Sequence, residues 1–237
     1  KPFAKFRCLR DVTSPEIGDL LIVYEEEYNG GESLYNALLL QAKKTDDVYN
    51  TEILKSDSHQ LLLYTKWPEF AYYKAGYLEG NVRSILPKTI TPGAQYLLID
   101  EGHSCQCLCG CPCRCGNGTF WCAMPNSGNK LVASNPLALQ LINLLEFETG
   151  RPFDSYLSSM DQWSMMIWDL LGLSRKSVFN RKSLKYKNKC RYSGDKSIFN
   201  MSLSPGVKKP DGDSFFSAIS VIYIKASKDL ENVSKDG

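Results

Sequence analysis

The stretch that decides the fold is "GDLLIVYEEEYNGGESLYNALLLQAKK", Gly18 to Lys44. Two apolar runs flank a turn that contains Asn29-Gly30-Gly31. Each run is β-branched or leucine-rich and too short for a helix of useful length, so each reads as a strand, the first over Ile17–Tyr24 and the second over Leu34–Ala42. Both are nearly continuous in apolar residues, which points to strands covered on both faces of a sheet. Their ends are polar. The first opens with Asp19, and the second closes on Gln41-Ala42-Lys43. If the strands pair symmetrically about Gly30, partner numbers sum to sixty. Residue 19 then lies opposite residue 41, and opposed residues point to the same face. Alternation adds Lys43 to that face. A shift of one residue in register would separate the three.

An acid or an ammonium at the end of a buried strand is costly unless it is paired or coordinated. A divalent cation satisfies the acid. Mg²⁺ takes oxygen ligands such as carboxylate, amide and backbone carbonyl, together with water. Asp19, Gln41 and the Ala42 carbonyl supply such oxygens, and Glu16 is a further candidate. Lys43 beside them can orient a water or stabilise charge on a phosphate.

Working outward, Lys1–Arg10 is expected to hold a strand. Ser56–Trp67 has a polar start and Pro68 behind it, and so reads as a helix. "QYLLI", Gln95–Ile99, is a further strand. Ser104–Lys130 is rich in Cys, Gly and Pro and is expected to be loop. In "NPLALQLINLLEFETG" the expectation is a helix capped by Asn135, with Pro136 in its first turn and Gly150 at its exit. Met160–Leu171 is another apolar helix, and "FFSAISVIYIK" near the end is a strand. This order is that of an α/β protein, a mixed β-sheet flanked by helices, with a Cys-rich loop and a helical C-terminal part. With 237 residues, one domain is expected. It would comprise a core over about 10–100, the Cys-rich loop over 104–130 and a helical, basic part over 134–237.

Asp19 followed by Gln41-x-Lys43, then a helix and a strand, resembles the PD-(D/E)xK superfamily of restriction-endonuclease-like nucleases in a Q-x-K variant. The signature there is an acid on one core strand and an (Asp/Glu/Gln)-x-Lys on the next. The resemblance covers residues of roughly 10–100. It implies a Mg²⁺- or Mn²⁺-dependent hydrolase that cuts phosphodiester bonds in DNA, in a bacterial defence or restriction setting. Asp19, Gln41 and Ala42 would hold the metal and Lys43 would act on the attacking water, with Glu16 as an added ligand. The family often carries a glutamate on a helix before the first core strand, and this chain has little room for one. A chain that keeps the fold without catalysis, as a binding or structural protein, is the alternative.

Net charge is only +2, but its distribution is uneven. From Arg175 to Arg191 there are eight Lys/Arg and no acid. Arg175, Lys176, Arg181, Lys182, Lys185 and Lys187, interleaved with Phe179 and Tyr186, are candidates for contacts with nucleic-acid phosphates and bases. A solvated charged face is the other reading.

Of nine cysteines, six alternate at Cys105, Cys107, Cys109, Cys111, Cys113 and Cys115, and Cys122 follows. Thiolate binding of Zn²⁺ or an iron–sulfur cluster, disulfides, and a loop without chemistry all remain open. Zinc sites usually use C-x₂-C pairs, and this run has only C-x-C steps. A thiolate metal-binding protein is therefore a third functional class. Only two histidines are present, His59 and His103, which argues against a multi-histidine metal site. There is no P-loop or dinucleotide fingerprint. No apolar run approaches the roughly 18 residues of a membrane span, and no signal peptide is visible. The expectation is a cytoplasmic protein without membrane contact. Its expected partners are DNA, a second copy of the chain or a larger multi-protein complex.

Overall fold

The Gly18–Lys44 hairpin forms in the register that the sequence arithmetic requires. A computed structural model of the protein describes residues 1–7, 14–28, 31–100, 120–126, 128–155, 161–179 and 219–228. Its strands are β1 (Phe3–Phe6), β2 (Leu20–Tyr28), β3 (Ser33–Thr45), β4 (Thr51–Glu52), β5 (Phe70–Tyr73), β6 (Val82–Arg83), β7 (Ala94–Asp100), β8 (Phe120–Ala123), β9 (Lys130–Leu131), β10 (Ala133–Pro136), β11 (Arg151–Phe153) and β12 (Ser220–Lys228). The helices are α1 (Ser58–Lys66), α2 (Leu137–Leu145) and α3 (Gln162–Phe179), and a 3₁₀ turn, Lys55–Asp57, leads into α1.

β2 and β3 pair antiparallel from Leu20↔Leu40 to Glu27↔Ser33. Every pair sums to sixty. The turn is closed by the Gly31 N–H donating to the Tyr28 carbonyl at 3.1 Å, with Gly31 at φ 84°. That left-handed backbone favours glycine.

The main sheet runs β10-β8-β7-β3-β2-β12. β3 is its axis. β2 lies on one edge of β3. On the other edge, β7 runs parallel to the Leu39–Thr45 half, and β11 runs antiparallel to Tyr35–Ala37. β12 runs parallel to β2, and β8 and β10 continue antiparallel beyond β7. The protein is therefore mixed α/β with a mixed sheet. A smaller sheet, β1-β5-β6, packs beside it.

Both faces of the hairpin are covered. Leu21, Val23, Ala37 and Leu39 share one apolar cluster with Leu63 and Tyr64 of α1 and Trp163, Met166 and Leu170 of α3. Ile22, Tyr24, Leu38 and Leu40 share another with Leu144 of α2, against which Leu137 and Leu141 also pack. Each such side chain contributes about 1.5–3 kcal/mol when fully buried. That doubled burial is why these strands lack the alternation of a half-exposed sheet.

The sequence expectations miss in specific places. The Ser104–Lys130 loop contains strand β8, because Phe120-Trp121-Cys122-Ala123 are apolar enough to pair with Tyr96–Ile99. Asn135 does not cap α2. It lies in β10 opposite Cys122, and its amide donates to the Gln140 side chain at 3.0 Å. Pro136, at φ −55° and ψ 145°, takes the cap position instead. A buried amide network follows α2. Gln140 donates to Gln95 and Thr149, and the Asn36 amide donates to the carbonyls of Leu144 and Thr149 at 3.0 and 2.7 Å. This network fixes the turn through Gly150, at φ 81°, that delivers β11 to β3. Phe215–Ala218 of the expected last strand lie outside the described residues, and β12 itself begins at Ser220.

The edge strand β12 is tied to β2 through Glu25. Its carboxylate accepts from the Tyr223 hydroxyl at 2.6 Å, the Lys225 ammonium at 3.0 Å and the Ser33 hydroxyl at 3.2 Å. Burial pushes this carboxyl up, but the bonds from Tyr223 and Lys225 outweigh it and hold the group below its ordinary 4.5. A depressed carboxyl contributes stability that is present above the ordinary value and lost as pH falls through the lowered one. Thermal melts of the wild type taken between about pH 5 and pH 3 should therefore fall more steeply than those of Glu25→Gln. Parallel curves would remove Glu25 as the acid-sensitive link.

Candidate functional site

The site lies at the end of β2 and β3, on the face covered by α1. Asp19 stands one residue before β2, and its N–H donates at 2.9 Å to the carbonyl of Leu40, the register partner of Leu20, so the regular ladder ends there. Its carboxylate Oδ2 accepts from the Ala42 N–H at 2.7 Å and from the Gln41 amide. The N–H and C=O of one strand residue face the same edge, so the Ala42 carbonyl is also directed toward the Asp19 side.

The second oxygen of Asp19, Oδ1, accepts from the Lys1 ammonium, which also reaches Glu16 Oε2 at 2.9 Å. Lys1 thus stands between two carboxylates, where a divalent cation would also be stable. Burial opposes the charge on this ammonium, but the hydrogen bonds to Asp19 and Glu16 raise it above the ordinary lysine value. The bridge Phe3↔Glu16 and the bond from Ala4 N–H to the Pro15 carbonyl bring the first strand to this edge. The sequence pattern held no signal for that approach, because Lys1 precedes β1, a strand of the other sheet.

Gln41 is only 9% exposed. Its Nε2 is used on Asp19, while its Oε1 is buried without a hydrogen-bond partner among the described residues. An unpaired buried carbonyl oxygen beside a carboxylate is a free donor for a hard cation. Among the described residues no three His, Cys, Asp or Glu side chains converge. The oxygen-bearing groups at this strand end are instead mixed: the carboxylates of Asp19 and Glu16, the Gln41 amide and the Ala42 carbonyl.

Lys43 emerges on the face of Gln41, as alternation requires, but its ammonium is paired with Asp57 in the turn before α1. Asp19, Gln41 and Ala42 are joined directly, and Lys43 is next to them with a carboxylate partner that the hairpin arithmetic did not supply. His59 follows in α1. Burial lowers its pKa, Asp57 opposes that, and Lys43 adds to it, so all three share one electrostatic neighbourhood.

The inner wall comes from α1 and β7. Gln60 and Tyr64, four residues apart, occupy one helix face and are buried. That spacing was readable in the sequence. The Tyr64 hydroxyl donates to the Ile17 carbonyl at 2.9 Å. Burial raises its pKa well above the usual tyrosine value, and Tyr96 and Asp19 add to the effect. Tyr96 is the register partner of Gln41 on β7, and its ring lies 5.7 Å from that of Tyr64. Its hydroxyl is buried and, like Gln60 Nε2, has no hydrogen-bond partner among the described residues. Burial, then the charge of Asp57, raises its pKa.

The other candidates fall elsewhere. Cys122 lies in β8, fully buried among Ile22, Leu38 and Leu97, and burial pushes its thiol up to about 12. That environment favours the neutral thiol, which packs as a small hydrophobe rather than presenting a thiolate. Cys105, Cys107, Cys109, Cys111, Cys113 and Cys115 lie outside the described residues, as do His103, Arg181, Lys182, Lys185 and Lys187. Arg175 and Lys176 are on the last turns of α3, which extends past the expected Leu171 to Phe179. No helix among the described residues is long and apolar enough to cross a membrane. No family model, curated protein or solved structure matches the chain.

The two tyrosines of the wall should separate in stability. Tyr64→Phe removes a bond to a buried carbonyl and should cost about 1 kcal/mol. Tyr96→Phe removes a hydroxyl that has no partner and should be close to neutral, or stabilising. Urea unfolding of both variants tests this, and the reverse ranking would mean that the assignment of partners is wrong.

Proposed function

We propose that this chain is a metal-dependent nuclease of the PD-(D/E)xK type that hydrolyses phosphodiester bonds in DNA. The observation that carries the reading is the Asp19 carboxylate joined to both the Ala42 N–H and the Gln41 amide, with the Gln41 oxygen left unpaired and Lys43 on the same face. The order hairpin, α1, then β7 parallel to β3 supports a restriction-endonuclease-like core. A defence or restriction role rests on that resemblance alone.

Asp19, the Gln41 oxygen and the Ala42 carbonyl, with Glu16, are the residues that would hold Mg²⁺ or Mn²⁺. The ion would make bound water acidic and neutralise charge on the phosphate. The chain supplies the remainder. Asp19 holds Gln41 by its amide nitrogen, which leaves the buried amide oxygen unpaired. Glu16 and Asp19, now paired with Lys1, are the carboxylates that would hold the ion. Lys43, two residues along the strand from Gln41 and on the same face, would orient the attacking water and stabilise the anionic transition state. The buried wall of Gln60, Tyr64 and Tyr96 limits water on the inner side.

The Lys1 contact favours a second reading. Asp19 and Glu16 are satisfied without a metal, as a catalytically inactive nuclease-fold binding protein would require.

A cleavage assay on double- and single-stranded DNA with Mg²⁺ or Mn²⁺ distinguishes the two. The wild type should cut only with the ion, and Asp19→Asn and Lys43→Ala should each lose at least about a hundredfold in rate. Gln41→Glu adds a ligand charge and should lower the Mg²⁺ concentration for half-maximal rate by about tenfold. A wild type that cuts no DNA at any divalent concentration leaves the inactive reading in place.

A further inference from the structure

Asp57 occupies the cap position of α1, the place where an aspartate ordinarily accepts from the free N–H groups of the first turn. It makes no such bond. Its carboxylate is turned to the Lys43 ammonium instead. A side-chain cap contributes about 1 kcal/mol, and this one is forgone. The backbone holds the residue in place, because the Asp57 N–H donates to the Leu54 carbonyl at 2.8 Å and so closes the 3₁₀ turn. The free N–H groups at the start of α1 favour an anion there. The pair is half-buried, with side-chain exposures of 23% for Lys43 and 35% for Asp57. The Tyr96 hydroxyl, on the strand position paired with Gln41, is buried and without a partner among the described residues.

We infer that Asp57 is the positioning residue of Lys43, holding its ammonium at a fixed place on the face that carries Gln41 while remaining outside the metal's ligand set. This rests on the nuclease reading of the same site. Lysine has a long flexible stem and a single point charge, so its placement depends on a partner. Gln41 and Asp19 are already engaged with each other, and Asp57 is the carboxylate that reaches Lys43 from the helix that covers the site. The arrangement joins the start of α1 to the end of β3, so the position of the charge follows the packing of that helix.

Two measurements on full-length protein test this. Amine labelling of Lys43, read by mass spectrometry on metal-free protein, should be several-fold faster in Asp57→Asn than in wild type, with exposed Lys88 unchanged as the internal standard. In DNA cleavage, Asp57→Asn should lose about 10- to 100-fold in kcat, the effect of a misplaced catalytic group. KM and the Mg²⁺ half-saturation should not change, and Asp57→Glu should recover part of the rate. Equal Lys43 labelling in wild type and Asp57→Asn overturns the inference, as does an unchanged kcat. A rise in the Mg²⁺ requirement matching that of Asp19→Asn also overturns it, because Asp57 would then be a ligand. If the wild type cuts nothing, the nuclease reading fails on its own, and the labelling result still decides whether Asp57 holds Lys43.

Discussion

The register of the β2–β3 hairpin is the constraint on which the rest depends. Side chains on paired strands alternate, so a shift of one residue would turn Asp19 toward one face and Gln41 toward the other. The register is held by burial on both sides. Leu21, Val23, Ala37 and Leu39 would all have to exchange clusters with Ile22, Tyr24, Leu38 and Leu40. It is held again at the polar end, where the Asp19 carboxylate accepts from Ala42 N–H beyond the last backbone pair. The same bond that ends the strand pairing begins the candidate site.

Around that end the protein gathers groups of opposite character. Lys1, Glu16, Asp19 and Gln41 are joined by charge and amide contacts, and two residues further along β3 a separate pair, Lys43 and Asp57, ties the strand to the start of α1. Tyr64 and Tyr96 are large buried rings whose hydroxyls differ in satisfaction. Unpaired buried polar atoms carry a cost, and here Gln41 Oε1, Gln60 Nε2 and the Tyr96 hydroxyl come from three adjoining elements.

Much of this was legible along the chain. The hairpin, α1 and β7 carry strong local patterns, continuous apolar runs in the strands and a Pro68 stop after the helix. The facing of Asp19 and Gln41 followed from counting. The misses have a common cause. β8 and β10 form because partners far away in sequence accept them, and Asn135 gave up its capping role because its strand pairing with Cys122 and its bond to Gln140 satisfy it better. Asp57 and Tyr96 were silent as site residues for the same reason: a capping aspartate and a strand tyrosine look ordinary until their neighbours are known.

The sequence by itself determined the strand pattern, the hairpin register, and the placement of Asp19, Gln41 and Lys43 on one face. These depend on side-chain period and on local turn chemistry, which act over a few residues. Only the tertiary structure decided that Lys1 would stand between Glu16 and Asp19, that Asp57 would leave the helix cap to hold Lys43, and that Cys122 would be sealed in the core. Those contacts join elements from different sheets and layers, and their energies depend on burial and distance, which exist only once the layers have packed.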